Sequence, residues 1–300
     1  MHPAYSVIFF TTASGAGYGL LALVGVLSPL GLAPRDRLFG FFALGLALTL
    51  VTTGLLASTH HLGRPERAWR AVARWRTSWL AREGLAALTT YIPASLFGLL
   101  WLGWGHVSLV LGALTAVGAV VTLVCTAMIY RSLKPVQRWC NHWVVPNYLA
   151  LGFMTGALWL FALFGTTPLL PLAAIVAAAA LKLLYWRFID TSQSASTAES
   201  ATGLGRFGKV RQLEAPHTED NYLLREMGYR VARKHARRLR LVALALGFGL
   251  PFVLCLAGFY VPSLGILAAL CGMGGVVVER WLFFAEARHT VTLFYGAATA

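Results

Sequence analysis

Charge is scarce in this chain of 300 residues, and negative charge is scarcest. Only 12% of residues are charged, and 11 Asp and Glu stand against 25 Lys and Arg. Soluble domains carry about 25% charged residues, so a water-exposed globular surface is excluded. Cysteine is nearly absent as well. Cys125, Cys140, Cys255 and Cys271 form no C-x-x-C pair, which offers neither an iron–sulfur ligand set nor a disulfide framework. They read as buried thiols acting as small hydrophobes. The opening Met1-His2-Pro3-Ala4-Tyr5 lacks a basic stretch, and no small-residue cleavage site follows a short apolar core. The first apolar run is therefore expected to be kept rather than cleaved as a signal peptide. The deep parts of the apolar runs hold almost no ionisable residues, although such residues usually mark ion and proton paths. A transporter would have to work through backbone and hydroxyls such as Thr11, Thr12, Thr52 and Thr53. None of the eight histidines falls mid-run, so haem held between two imidazoles on facing helices is not expected.

What the chain has in quantity is grease. Hydrophobic residues make up 58% of it and the mean hydropathy is +0.67. They gather in uninterrupted runs at about 4–32, 38–59, 84–102, 107–130, 144–164, 169–185, 241–260 and 262–283. A helix needs roughly 20 apolar residues to cross the hydrocarbon core, and helices satisfy their own backbone there. The fold class is accordingly all-α: one integral membrane domain over 1–300, a bundle of about eight transmembrane helices. The run at 169–185 is short and Pro262 opens the last one, so seven spans with one re-entrant segment is the alternative.

The cations are sorted by side. With the N-terminus in the cytoplasm, 23 of the 25 Lys and Arg fall on that face, counting Lys182 and Arg280 with the loops, and only Arg35 and Arg37 on the other. The positive-inside rule then places both termini in the cytoplasm. The same sorting argues against nucleic acid, despite a formal net charge of +14, because the basic residues lie between apolar runs rather than along one binding face. The longest loop, about 187–240, opens with a Ser/Thr/Ala-rich stretch expected to be mobile. From Asn221 to Arg240 it becomes basic, with Tyr222, Leu223, Met227, Tyr229 and Val231 interleaved. That segment fits either a docking surface for a soluble partner or a helix lying on anionic lipid.

Two local patterns stand out. Ser14-Gly15-Ala16-Gly17-Tyr18-Gly19 lies inside an apolar run with no Lys-Ser/Thr after it. It reads as a set of small residues that lets helices approach closely, not as a phosphate loop. The second is Ser58-Thr59-His60-His61-Leu62-Gly63-Arg64-Pro65-Glu66-Arg67-Ala68-Trp69, which leads through an Arg/Trp-rich loop to Glu83 at the start of the third run. It places imidazole and carboxylate together near the membrane boundary. An imidazole can donate a hydrogen bond to a quinone oxygen and a carboxylate can exchange its proton. The plainer reading is a solvated boundary histidine and a glutamate stabilised by a helix N-terminus.

With these residues the chain resembles the membrane anchor subunit of the dimethyl sulfoxide reductase family of complex iron–sulfur molybdoenzymes. The sharpest match is His61-Leu62-Gly63-Arg64-Pro65 followed by Glu83; Met128-Ile129-Tyr130-Arg131-Ser132-Leu133, ahead of Trp139 and Trp143, also looks like the family. The resemblance implies an eight-helix anchor without a cofactor of its own. Such an anchor holds an iron–sulfur subunit and a molybdenum-cofactor catalytic subunit at the membrane, and is the quinone-reactive, non-catalytic part of an oxidoreductase complex. It further implies that His61 and Glu83 shape the quinone site; Arg64 joins them as an inference from proximity. The dimethyl sulfoxide reductase anchor, which oxidises menaquinol, presents this loop to the periplasm, whereas the cation count here places it in the cytoplasm. In that respect, and in the opening segment from His2 to Thr12, the chain looks more like the sulfite dehydrogenase branch. The resemblance thus implies a bacterial inner membrane protein that passes electrons from sulfite oxidation to quinone. A small-molecule transporter is the reading from another class, and a purely structural anchor is a third.

Overall fold

The computed structural model describes residues 5–59, 65–165, 168–192, 196–211, 213–214 and 234–295. Among the described residues, eight helices are long and apolar enough to cross a membrane. They are α1 (Tyr5–Leu27), α2 (Arg37–Thr59), α3 (Trp79–Trp104), α4 (Leu109–Arg131), α5 (Val144–Phe164) and α6 (Leu169–Thr191), then α7 (Ala236–Ala257) and α8 (Leu264–Ala285). Among the described residues no strand occurs. The chain is an all-α polytopic membrane protein, and its described residues supply eight candidate spans rather than seven.

The ends of the helices follow local rules. Ser78 and Ser108 cap α3 and α4 by accepting hydrogen bonds from the Ala81 and Leu111 amides, satisfying donors that have no helical partner. Gly105 and Gly165 close α3 and α5 in the left-handed conformation, φ 71° and 66°, which only glycine adopts without cost. Within α7, a π-helical turn at Ala245–Gly249 precedes Pro251; such turns re-aim a helix locally.

The sixth helix corrects the sequence reading most. It does not stop at residue 185 but runs on to Thr191, so Arg187 belongs to a span and not to the loop, and Lys182, counted with the loop, lies well inside the span. Residues 236–240, likewise, are helical and open α7. Of the basic segment from Asn221 to Arg240, the part up to residue 233 lies outside the described residues.

Helix α1 occupies the centre, packed along α2, α4, α5 and α8, and almost every residue from Phe10 to Gly25 is buried. Its small residues make this possible. Gly19 lies against the backbone of Gly152 on α5, and Gly25 against that of Gly112 on α4, so closely that a methyl group at either would collide with a carbonyl oxygen. In lipid, where apolar burial gives helices no net drive to associate, close backbone approach supplies dispersion contact instead.

Candidate functional site

Because α3 begins four residues before Glu83, this glutamate does not open the helix as the sequence pattern suggests. It stands in the second turn, past the free amides of the first, and is 4% exposed. Its side chain faces α4, the helix with which α3 packs most extensively. There the Thr126 hydroxyl donates to Glu83 Oε1. Thr126 belongs to a ladder of buried threonines along this seam. Thr115, Thr122 and Thr126 each lie within hydrogen-bond distance of the carbonyl four residues back, and Thr122 also meets Thr90 of α3 at 3.4 Å. Hydroxyls spent on their own helix cost little to bury and leave lone pairs facing the seam. Tyr91 of α3 shares a 2.6 Å hydrogen bond with Thr52 of α2.

Thr126 suits a carboxyl group in either protonation state. Towards a carboxylate it donates; a carboxylic acid donates to its oxygen while its own proton turns to the Thr122 carbonyl, 3.0 Å away. A proton-exchanging group needs a partner of this kind.

His61 and Arg64, the other residues expected at this site, lie outside the described residues, as does His60. On either side of them, α2 ends at Thr59 and a run of 3₁₀ turns spans Pro65–Arg74. The rest of that loop is an arginine–tryptophan belt. Arg70, Arg76 and Arg82 stand over the rings of Trp69, Trp75 and Trp79, the last pair at 4.2 Å. Arg82 also donates to the Trp75 and Arg76 carbonyls. Tryptophan and arginine favour the headgroup level of a bilayer, so Glu83 lies about one turn beneath it.

The structure buries charge that the sequence reading assigned to the loops. Lys182 on α6 and Glu279 and Arg280 on α8 are each 2% exposed or less. The Lys182 ammonium contacts Glu279 Oε1, and Arg280 grips the same carboxylate through Nε and Nη2. Aromatic faces enclose the cations: Lys182 lies 4.3 Å from the Tyr185 ring centroid, and Arg280 lies 4.2 Å from that of Tyr148 and 4.9 Å from that of Phe283. Charges removed from water are tolerated when paired, hydrogen-bonded and set against aromatic rings. Sequence reasoning missed the cluster because it counted Lys182 and Arg280 as loop cations and gave Glu279 no role. The available signals were Lys182, which falls inside the sixth apolar run, and the Glu279-Arg280 pair, which falls inside the last one.

Nearer the surface, Arg240 bridges Asp190 and Glu286, at 3.0 Å and 2.8 Å. The turn between α4 and α5 is clamped beneath it: Trp139 Nε1 donates to the Phe283 carbonyl at 2.9 Å and Arg138 to that of Glu286 at 3.0 Å. Burial, followed by the neighbouring Arg288, pulls the Arg138 guanidinium below its ordinary value. Of the cysteines, Cys125 and Cys255 are buried as expected, Cys271 is half-buried, and Cys140 is exposed, which corrects its reading as a core thiol. Among the described residues no three His, Cys, Asp or Glu side chains gather as a metal ion would need.

Comparison with known proteins bears directly on this arrangement. The family model for the DMSO reductase anchor subunit (DmsC) matches residues 1–297. The C subunit of the sulfite dehydrogenase of Allochromatium vinosum is 36% identical, over 98% of this chain and 99% of that protein. No solved structure matches. Since both matches run through all eight spans and the loop that leads to Glu83, the chain belongs to the DMSO reductase anchor subunit family.

Proposed function

We propose that this membrane anchor exchanges electrons between quinone and an iron–sulfur subunit docked over its basic loops, with quinone bound near Glu83, His61 and Arg64. The observation that carries the reading is Glu83 itself: a carboxyl group buried one turn below the arginine–tryptophan belt, with a single hydroxyl partner able to serve it protonated or ionised. A quinone that takes up two electrons also takes up two protons, and the reverse releases them. The electrons come from or go to the partner's cluster. Glu83 exchanges one proton at one quinone oxygen; His61 hydrogen-bonds the other oxygen, where the second proton is exchanged with water on the cytoplasmic side. The isoprenoid tail stays among the apolar helices.

The partners proposed are that iron–sulfur subunit and a molybdenum-cofactor catalytic subunit, which selects the substrate. The kinship with a component of a sulfite dehydrogenase favours sulfite oxidation with electrons delivered to quinone. The charge distribution supports a cytoplasmic complex in a bacterial inner membrane. Setting aside the buried Lys182 and Arg280, 21 of the remaining 23 cations still lie on the side that carries both termini.

In membranes containing the assembled complex, Glu83→Gln and His61→Ala should each abolish quinone-linked turnover, by roughly 100-fold or more as for other groups that handle protons, while the complex still assembles. Normal turnover in both variants would remove these residues from the site. A tag in the loop between α2 and α3 should be reached only from the cytoplasm. Access from outside the cell would instead support the menaquinol-oxidising, dimethyl sulfoxide reductase type of anchor. Solute flux through proteoliposomes of the isolated chain would displace the electron-transfer reading in favour of a transporter.

A further inference from the structure

Three buried polar atoms on three different helices make no hydrogen bond of good geometry within the protein, and their residues line one cavity: Thr12 Oγ1 on α1, the Tyr148 hydroxyl on α5 and Arg280 Nη1 on α8, the last two side chains close enough to interact with each other. All three residues are at least nine-tenths buried. Thr126, the residue that holds Glu83, lines the same cavity from α4. The space open to the centre of a water molecule is about 10 Å³, close to what one water occupies. Thr11, Ser14 and Thr155 add hydroxyl oxygens to the wall, their protons already given to carbonyls of their own helices. Leaving an arginine N–H buried and unpaired is costly, and an isolated water with two to four polar neighbours is the usual remedy.

We propose that this cavity is a binding site for one water molecule, which joins Arg280 to Thr126 and makes Arg280 a positioning residue for the Glu83 carboxyl group. The direction of the chain follows from chemistry. A guanidinium only donates, so Arg280 Nη1 donates to the water. The water has two protons to give, one to Thr126 Oγ1 and the other to Thr12 or Tyr148. The Thr126 proton points to Glu83 Oε1, as found. Every donor along the chain faces Glu83, and the group at its end must accept.

The charges around Arg280 balance among themselves: Lys182, Arg280 and Arg240 face Glu279, Asp190 and Glu286. What the water link carries to Glu83 is therefore orientation, by turning the Thr126 hydroxyl towards it. Its use by quinone rests on the function proposed above; the water does not.

The test uses the intact complex without quinone. Electron cryo-microscopy at a resolution that reveals buried waters should show one density within hydrogen-bond distance of Arg280 Nη1, Thr126 Oγ1 and Tyr148. Infrared spectroscopy should resolve the Glu83 carboxyl band, identified by its loss in Glu83→Gln. Thr126→Val, which keeps the branched shape and removes only the hydroxyl, and Arg280→Gln, which leaves Lys182 and Glu279 as a neutral pair, should both move that band. Each should weaken binding of a quinone analogue by roughly tenfold, the worth of about one charge-assisted hydrogen bond. An empty cavity, or a Glu83 band that neither variant moves, would overturn the proposal. Should the density and band shift be found while Glu83→Gln retains quinone turnover, the water link stands and the quinone reading fails.

Discussion

The two ends of this bundle solve opposite problems. At the far end, away from the basic loops, the helices close on glycine and tryptophan. Trp101 is fully buried, with Phe97 and Phe39 beside it and Gly40 beneath its indole, and Arg35 is turned back onto the Ser28 and Pro29 carbonyls. At the basic end, Glu83, Lys182, Glu279, Arg280 and Glu286 are all buried; among the described residues, no other charged side chain is. The far end is held by fit, and its charges stay at the surface. The basic end accepts the expense of desolvating charge, in the layer where the function proposed above sets its proton exchange. Buried charge confined to one end of a membrane protein is by default a candidate for function there.

Charge balance is the most vulnerable feature of that contrast. Glu279→Gln leaves Lys182 and Arg280 as two cations sharing no carboxylate, and breaking a buried pair in this way costs about 3–5 kcal/mol. The expected result is a chain that accumulates poorly in membranes and unfolds at a markedly lower temperature in detergent. Lys182→Met removes just as much charge yet leaves the neutral Glu279–Arg280 pair intact, and it should cost much less. Equal losses in the two variants would show that packing, not charge balance, holds the basic end.

At the far end the sensitive element is backbone approach. A Cβ at Gly25 would lie 2.5 Å from the Gly112 carbonyl oxygen, and backbone cannot give way as a flexible side chain does. Gly25→Ala should therefore cost about 1–3 kcal/mol as an overpacking change, seen as a lower unfolding midpoint. Gly103→Ala, where nothing lies within 4 Å, should stay within about 0.5 kcal/mol. If both behave alike, α1 and α4 are not in close contact.

Different parts of the molecule were legible in the sequence for different reasons. Hydrocarbon demands long apolar runs, so the spans could be read directly: the fifth, at 144–164, agrees to the residue with α5. The central role of α1 was partly visible in Ser14-Gly15-Ala16-Gly17-Tyr18-Gly19, since small residues are what close helix packing requires. Where hydropathy failed was at the charged ends. Lys182, two residues before Leu184-Tyr185, reads as the edge of a loop because a window of residues cannot know that Glu279 waits on another helix to neutralise it. The same blindness moved the start of α3: Trp79, Arg82 and Glu83 looked too polar for a span, yet the Ser78 cap sets the helix going before them. Glu83 was singled out by type and position, but its partner Thr126, 43 residues on, belongs to a seam that only the fold assembles.

The smallest expected effect tests how apolar the far end is. Trp101 Nε1 donates to the Arg35 carbonyl at 2.9 Å, which links α3 to the segment between α1 and α2. Trp101→Phe keeps an aromatic ring against Gly40 and Phe97 while removing that bond. Arg35 lies in an exposed turn, so water can satisfy the freed carbonyl, and the loss should be about 1 kcal/mol or less, read as a small drop in unfolding midpoint. A loss matching that of Glu279→Gln would mean that a polar clasp holds both ends, and that fit is not what distinguishes the far one.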